Sequence, residues 1–126
     1  MEVRAILRNM GVPPRKVRLV IGAIRGRKVN EAMAYLQFIP NASAKPMYQL
    51  LKSAVANAEN NYEMDASDLY IIHLVADEAP TQKRWQIRSR GRSSRVMKRR
   101  THITVIVSDE ADLIPAGYRK SLKRAR

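Results

Sequence analysis

Between residues 79 and 108 the chain holds nine basic side chains and no acidic one: Lys83, Arg84, Arg88, Arg90, Arg92, Arg95, Lys98, Arg99 and Arg100. Like charges at this density repel one another strongly unless counter-charge lies among them. Arginine outnumbers lysine here, and a guanidinium is a planar fork that contacts phosphate through paired hydrogen bonds and stacks on flat rings. The chemistry open to these residues is therefore the binding of a polyanion. A second basic group, Arg4, Arg8, Arg15, Lys16, Arg18, Arg25, Arg27 and Lys28, precedes it with Glu2 as the lone acid. Between the two groups, residues 29–78 carry only Lys45 and Lys52 against seven acids. The whole chain has 24 Lys and Arg against 11 Asp and Glu, a formal charge of +13 that points to a polyanionic partner.

Other chemistries find no support. Without cysteine there is no disulfide, thiolate nucleophile or cysteine zinc site. His73 and His102 are too few for a histidine metal centre and fit positions in a sheet. Asp77 and Glu78 are adjacent, so on a strand they face opposite ways and make a poor acid–base pair. No Ser–His–Asp order, glycine-rich phosphate loop or HExxH motif is present. The GxxxG spacing at Gly22 and Gly26 loses its membrane meaning beside Arg25, and the sequon Asn41-Ala42-Ser43 has none without secretion. The longest uncharged run, Ala32–Ala44, has 13 residues and contains Pro40, too short to cross a bilayer. The start, Met1-Glu2-Val3-Arg4, does not read as a secretory signal. The expectation is a non-enzyme with no catalytic residue, metal, cofactor or membrane.

Hydrophobic spacing predicts the elements that hold these charges. Val3–Leu7 alternates as a strand, with Arg4 and Arg8 opposite Val3, Ala5 and Leu7. Pro14 suits the first turn of a helix over Arg15–Arg25, where Val17, Val20, Ile21 and Ile24 form the buried face and Arg15, Arg18 and Arg25 point outward. Gly26 ends it. Asn30 is placed as the cap of a second helix, Glu31–Ile39, which Pro40 stops. Ser43 is placed as the cap of a third, reaching about Asn60, with Met47, Leu50, Leu51, Ala54, Val55 and Ala58 on one face. Leu69–Ala76 and Thr101–Val107 read as strands, the first apolar on both faces and so expected to be at least partly covered on both. Pairing them antiparallel, with the N-terminal strand as the third, predicts an α+β fold: three helices packed on one face of a small three-stranded antiparallel sheet.

The basic segment 79–100 then joins two strands. A structureless connection of that length inside a compact domain is unusual and normally functional. As an extended hairpin turning near Gly91, each arm has about ten residues and reaches roughly 33 Å. Lys83, Trp85 and Ile87 alternate with Arg84, Gln86 and Arg88 going out; Arg95, Met97 and Arg99 alternate with Val96, Lys98 and Arg100 coming back. Basic groups occupy both sides, so neither side can be buried against protein. A lone two-stranded ribbon is marginal in water, and its order is expected to depend on surrounding anionic matter. Trp85 fits either base stacking or cross-strand packing, and Gly91 fits a turn residue with positive φ.

Five segments together, Lys16-Val-Arg-Leu-Val20, Ile24-Arg-Gly-Arg-Lys-Val29, Ser53-Ala-Val-Ala-Asn-Ala-Glu-Asn60, Arg88-Ser-Arg-Gly-Arg92 and Lys98-Arg-Arg-Thr-His-Ile-Thr-Val105, resemble bacterial ribosomal large-subunit protein 22 in order and spacing over about residues 2–110. The family often has Ser at the place of Pro13, Pro at Ile87 and Ala at Ser89. The resemblance implies a structural RNA-binding protein of the large ribosomal subunit, in a cytoplasmic or organellar ribosome. The shared segments span one globular RNA-binding domain, 1–110, including the hairpin 79–100; the basic tail, 111–126, lies outside them and reads from its composition as a disordered basic arm or a short helix that orders on its partner. The RNA-binding set that the resemblance implies is Arg4, Arg8, Arg15, Lys16, Arg18, Arg25, Arg27, Lys28, Lys83, Arg84, Arg88, Arg95, Lys98, Arg99 and Arg100. It also implies an exit-tunnel lining of Arg90, Gly91 and Arg92 near the tip, with Lys83 and Arg84 near a constriction shared with ribosomal large-subunit protein 4 beside the macrolide region. The partners implied are large-subunit ribosomal RNA, neighbouring ribosomal proteins and the nascent polypeptide. Two other classes fit less well. A histone-like DNA-bending protein also carries basic arms, but with an apolar or proline wedge at the tip, where this chain has Arg90-Gly-Arg-Ser93. A cationic membrane binder needs a longer amphipathic helix than the first one here.

Overall fold

A computed structural model describes residues 1–118. Its elements in chain order are β1 (Glu2–Met10), α1 (Pro14–Ile24), α2 (Val29–Phe38), α3 (Ala44–Tyr62), β2 (Tyr70–Ile87) and β3 (Ser93–Ser108), with short 3-10 turns at Ala66–Asp68, Ser89–Gly91 and Ala111–Leu113. The sheet is antiparallel with order β1-β3-β2, so β3 is central. Rows across it explain the layering. Val3, Val107 and Ile71 are aligned, as are Ala5, Val105 and Leu74, then Leu7, Ile103 and Ala76. These rows join the apolar faces of the helices, Val17, Ile21 and Ile24 from α1, Leu36 from α2, and Met47, Leu51 and Ala54 from α3, in one buried cluster. Truncating a side chain such as Leu51 or Ile103, both under 2% exposed, costs about 2–5 kcal/mol on transfer and cavity grounds. The α+β architecture is the one that hydrophobic spacing predicts.

Among the described residues no helix lies on the opposite face. Its rows are Arg4, Ile106 and His73, then Ile6, Thr104 and Val75. On this face His73 and Val75 are half-buried, in keeping with the expected partial cover of both faces of β2. Its doubly apolar start has another cause: a bulge between Ile71 and His73 places Ile72 as an extra residue, and Ile71 and Ile72 are both buried.

The helix starts also differ from expectation. α2 begins at Val29, with Lys28 rather than Asn30 at its cap and no side-chain cap bond. Tertiary pairing sets this start: Val29 is fully buried, its N–H donates to the Leu69 carbonyl (2.9 Å), and Lys28 bridges Tyr70. Ser43 does occupy the cap of α3, but its hydroxyl donates to Asn41 Oδ1 (2.7 Å) instead of serving the helix. Asn41 also accepts the Ser43 N–H (3.0 Å), so the Asx turn at Asn41 directs the chain into α3. Beyond 110 the chain still packs on the body: Ile114 is buried, and Tyr118 lies beside Gly26 and Arg25. Of the expected basic tail, 111–126, residues 119–126 lie outside the described residues.

Candidate nucleic-acid interface

β2 and β3 run on past the sheet as one ribbon, paired from Ala79 with Arg100 to Ile87 with Ser93. β1 stops pairing at Met10 with Thr101, so beyond that row the ribbon has only two strands. Two bulges mark its base. On β2, Pro80 and Thr81 stand opposite Arg99; Pro80 has no N–H to give the ladder, and the extra residue bends the ribbon and increases its twist. On β1, Arg8 and Asn9 stand opposite His102, and Asn9 takes the left-handed conformation (φ 54°). That conformation is held from both sides. The Asn9 N–H donates to His102 Nδ1 (3.1 Å), and Arg100 donates from Nε (3.2 Å) and Nη2 (2.6 Å) to the Asn9 carbonyl. The buried Thr101 hydroxyl donates to the Val12 carbonyl, closing the junction.

Beyond the base no side chain of the ribbon is buried. Residues directly opposite in an antiparallel pair share a face. Lys83 with Met97, Trp85 with Arg95, and Ile87 with Ser93 therefore make one face; Gln82 with Lys98, Arg84 with Val96, and Gln86 with Ser94 make the other. Both carry cations, as the sequence predicts. The tip is the turn Ser89–Gly91, closed by Arg88 N–H to the Arg92 carbonyl (2.6 Å). Gly91 has φ +67°, in keeping with its expected turn role, and Arg90 shares the left-handed region (φ 59°). Arg90, Gly91 and Arg92 are exposed together at this end.

The cations of the body divide into two kinds. Arg15, Lys16 and Arg99 line one hollow at the start of α1, with Glu78 at its side and the bound Arg18 at its wall. Arg4 and Arg8 are exposed on β1, and Arg4 lies on the helix-free sheet face. The others are engaged with protein. Arg18 donates from Nη2 to the Ala76 carbonyl (3.0 Å), and Arg25 donates from Nε and Nη2 to the Leu74 carbonyl while lying over the Tyr118 ring (4.5 Å). Arg27 faces the Tyr35 ring (5.9 Å); Lys28 faces Tyr70 (5.4 Å) and pairs with Asp68 (3.8 Å). Arg25 is half-buried rather than outward, and Arg18 is exposed as expected, yet both reach the outer edge of β2 and satisfy carbonyls left without a strand partner.

Three features escaped the sequence reading. The left-handed Asn9 and the tyrosines beneath Arg25, Arg27 and Lys28 leave no periodic signal. The apolar stripe of Trp85, Ile87 and Met97 was readable from the period of two across the paired arms. A family model, described as ribosomal protein L22p/L17e, matches residues 5–108, from within β1 through both arms of the ribbon to the end of β3. The chain belongs to this family. As a member of the ribosomal protein L22p/L17e family it is a structural protein of the large ribosomal subunit that binds ribosomal RNA, and it has ribosomal RNA and ribosomal proteins as its partners. Among the described residues no helix is long and apolar enough to cross a membrane.

Proposed function

We propose that this protein helps assemble the large subunit by passing its hairpin through folded ribosomal RNA, and that the hairpin tip lines the polypeptide exit tunnel. The observation that carries this reading is a paired ribbon, Gln82–Lys98 outward, with no buried side chain, no acid and cations on both faces. Such a ribbon fits only a partner that surrounds it. Phosphate contacts position it, and the shape of the folded RNA gives specificity. Residues 1–110 act as one RNA-binding domain. Arg84, Arg88, Arg95, Lys98 and Arg99 on the ribbon, with Arg4, Arg8, Arg15 and Lys16 on the body, contact RNA directly. Arg27 and Lys28 add to that surface from the start of α2. Arg18, Arg25 and Arg100 brace the protein beneath it, because their guanidinium groups are already bound to carbonyls. Arg90, Gly91 and Arg92 face the nascent polypeptide, and Lys83 and Arg84 lie toward ribosomal large-subunit protein 4.

Replacing Arg88, Arg92, Arg95 and Arg99 together with Gln tests this reading. Incorporation into large subunits, followed by sedimentation, is expected to be lost while the circular dichroism of the free protein is unchanged. Normal incorporation of the folded variant overturns it.

A further inference from the structure

Trp85 is 68% exposed, Ile87 83% and Met97 38%, and all three lie on one face of the hairpin. A ribbon two strands thick has no layer beneath it, so the protein cannot bury this stripe itself. One side of the indole is occupied: the Arg95 guanidinium, directly across the ladder, lies 5.6 Å from the ring centre. Charge decides what suits the other side. Lys83 and Arg95 flank the ring, and the arms bear no acid, so an apolar protein segment would meet uncompensated cations. RNA supplies anion and flat apolar surface in a single molecule. Bases within an A-form duplex are stacked on one another and lie behind a deep, narrow groove, whereas an unpaired base can swing out onto an aromatic ring. The opposite face, with Gln82, Arg84, Gln86, Ser94 and Lys98, offers hydrogen-bond donors and only Val96 as apolar surface.

We propose that the Trp85 ring stacks an unpaired RNA base on the side away from Arg95, which makes this face of the hairpin base-contacting and the opposite face phosphate-contacting. The proposal rests on the RNA-binding reading above and adds a nucleotide class and a residue to it. The base is held between Trp85 and Ile87, flanked by Lys83 and Arg95 on the same face. Stacking on an aromatic ring is tolerant of base identity, so the selection is for unpaired over paired.

Trp85 is the only tryptophan in the chain, so its fluorescence reports this site alone. The full chain is titrated at 0.15 M salt, on the order of physiological, with an RNA stem bearing one bulged adenosine, the same stem with an abasic residue at the bulge, the fully paired stem, and inorganic polyphosphate. The bulged adenosine is expected to quench the indole and to bind roughly tenfold more tightly than the abasic stem, the size of one base–aromatic stack. Trp85→Ala abolishes that preference and Trp85→Phe keeps most of it, both measured by competition with labelled RNA. Equal binding of bulged and abasic stems, quenching by polyphosphate to the same degree, or a preference that survives in Trp85→Ala overturns the stacking proposal alone. Failure to bind any of the RNAs overturns it together with the RNA-binding reading.

Discussion

The Arg25 guanidinium donates from Nε (3.1 Å) and Nη2 (2.5 Å) to the Leu74 carbonyl, across 49 residues of sequence. Arg18, two turns earlier on the same helix, reaches Ala76, two residues further along the strand. Gly26, Arg27 and Val29 complete the series with backbone bonds to Ile71 and Leu69. The outer edge of β2 is thus covered from Leu69 to Ala76 by α1 and the segment that follows it. An open edge there would be a template for pairing with another chain. The two-stranded ribbon begins three residues further on, at Ala79.

Replacing Arg25 with Lys keeps the charge and removes the fork. The loss of a two-pronged charged hydrogen bond is expected to lower stability by about 1–2 kcal/mol. Urea unfolding followed by circular dichroism measures this. RNA affinity of the folded variant is expected to stay near that of the parent, since no phosphate contact is assigned to Arg25.

Arg99 and Arg100 are neighbours with opposite duties. Arg100 is tied to the bulge at Asn9, whereas Arg99 opens into the hollow lined by Arg15, Lys16 and Arg18. Arg100→Gln is expected to cost about 1 kcal/mol of stability through the lost bonds to Asn9. Arg99→Gln is expected to leave stability within about 0.5 kcal/mol. It should instead reduce the steepness of RNA affinity against salt by about one phosphate contact. Paired unfolding and salt titrations separate the two.

Much of this division was hidden from the sequence for a physical reason. The buried faces of α1 and α3 repeat with the helical period, and burial of apolar area enforces that period, so Val17, Ile21, Met47 and Leu51 could be placed without a structure. The two-faced ribbon also follows from alternation. An arginine carries no such signature: Arg18 and Arg15 differ only in whether a strand carbonyl lies within reach, and that depends on how α1 docks. Asn30 shows the same limit. A good capping residue yields to a start fixed by Val29 in the core and its bond to Leu69.

Asp65 offers a test by pH. Ser67 donates its N–H (2.9 Å) and its hydroxyl (2.8 Å) to Asp65 Oδ1, and these bonds, the backbone one foremost, hold the carboxyl below its ordinary 3.8. A folded value below the unfolded one means that the contribution to stability is present above about pH 3.8. It is lost as pH falls through the folded value. In Ser67→Ala the N–H bond survives and the hydroxyl bond does not, so the Asp65 titration followed by NMR should move part of the way back toward 3.8.

Under the proposed function the ribbon beyond Ala79 and Arg100 owes its rigidity to RNA, and the rest of the fold does not. Amide hydrogen exchange of the free protein and of the same chain within large subunits tests it most directly. The free protein is expected to exchange fast from Lys83 to Lys98 while Val105 and Leu51 stay protected, and the ribbon amides are expected to slow by orders of magnitude in the subunit. Ribbon amides as slow in the free protein as those of the core would contradict the account.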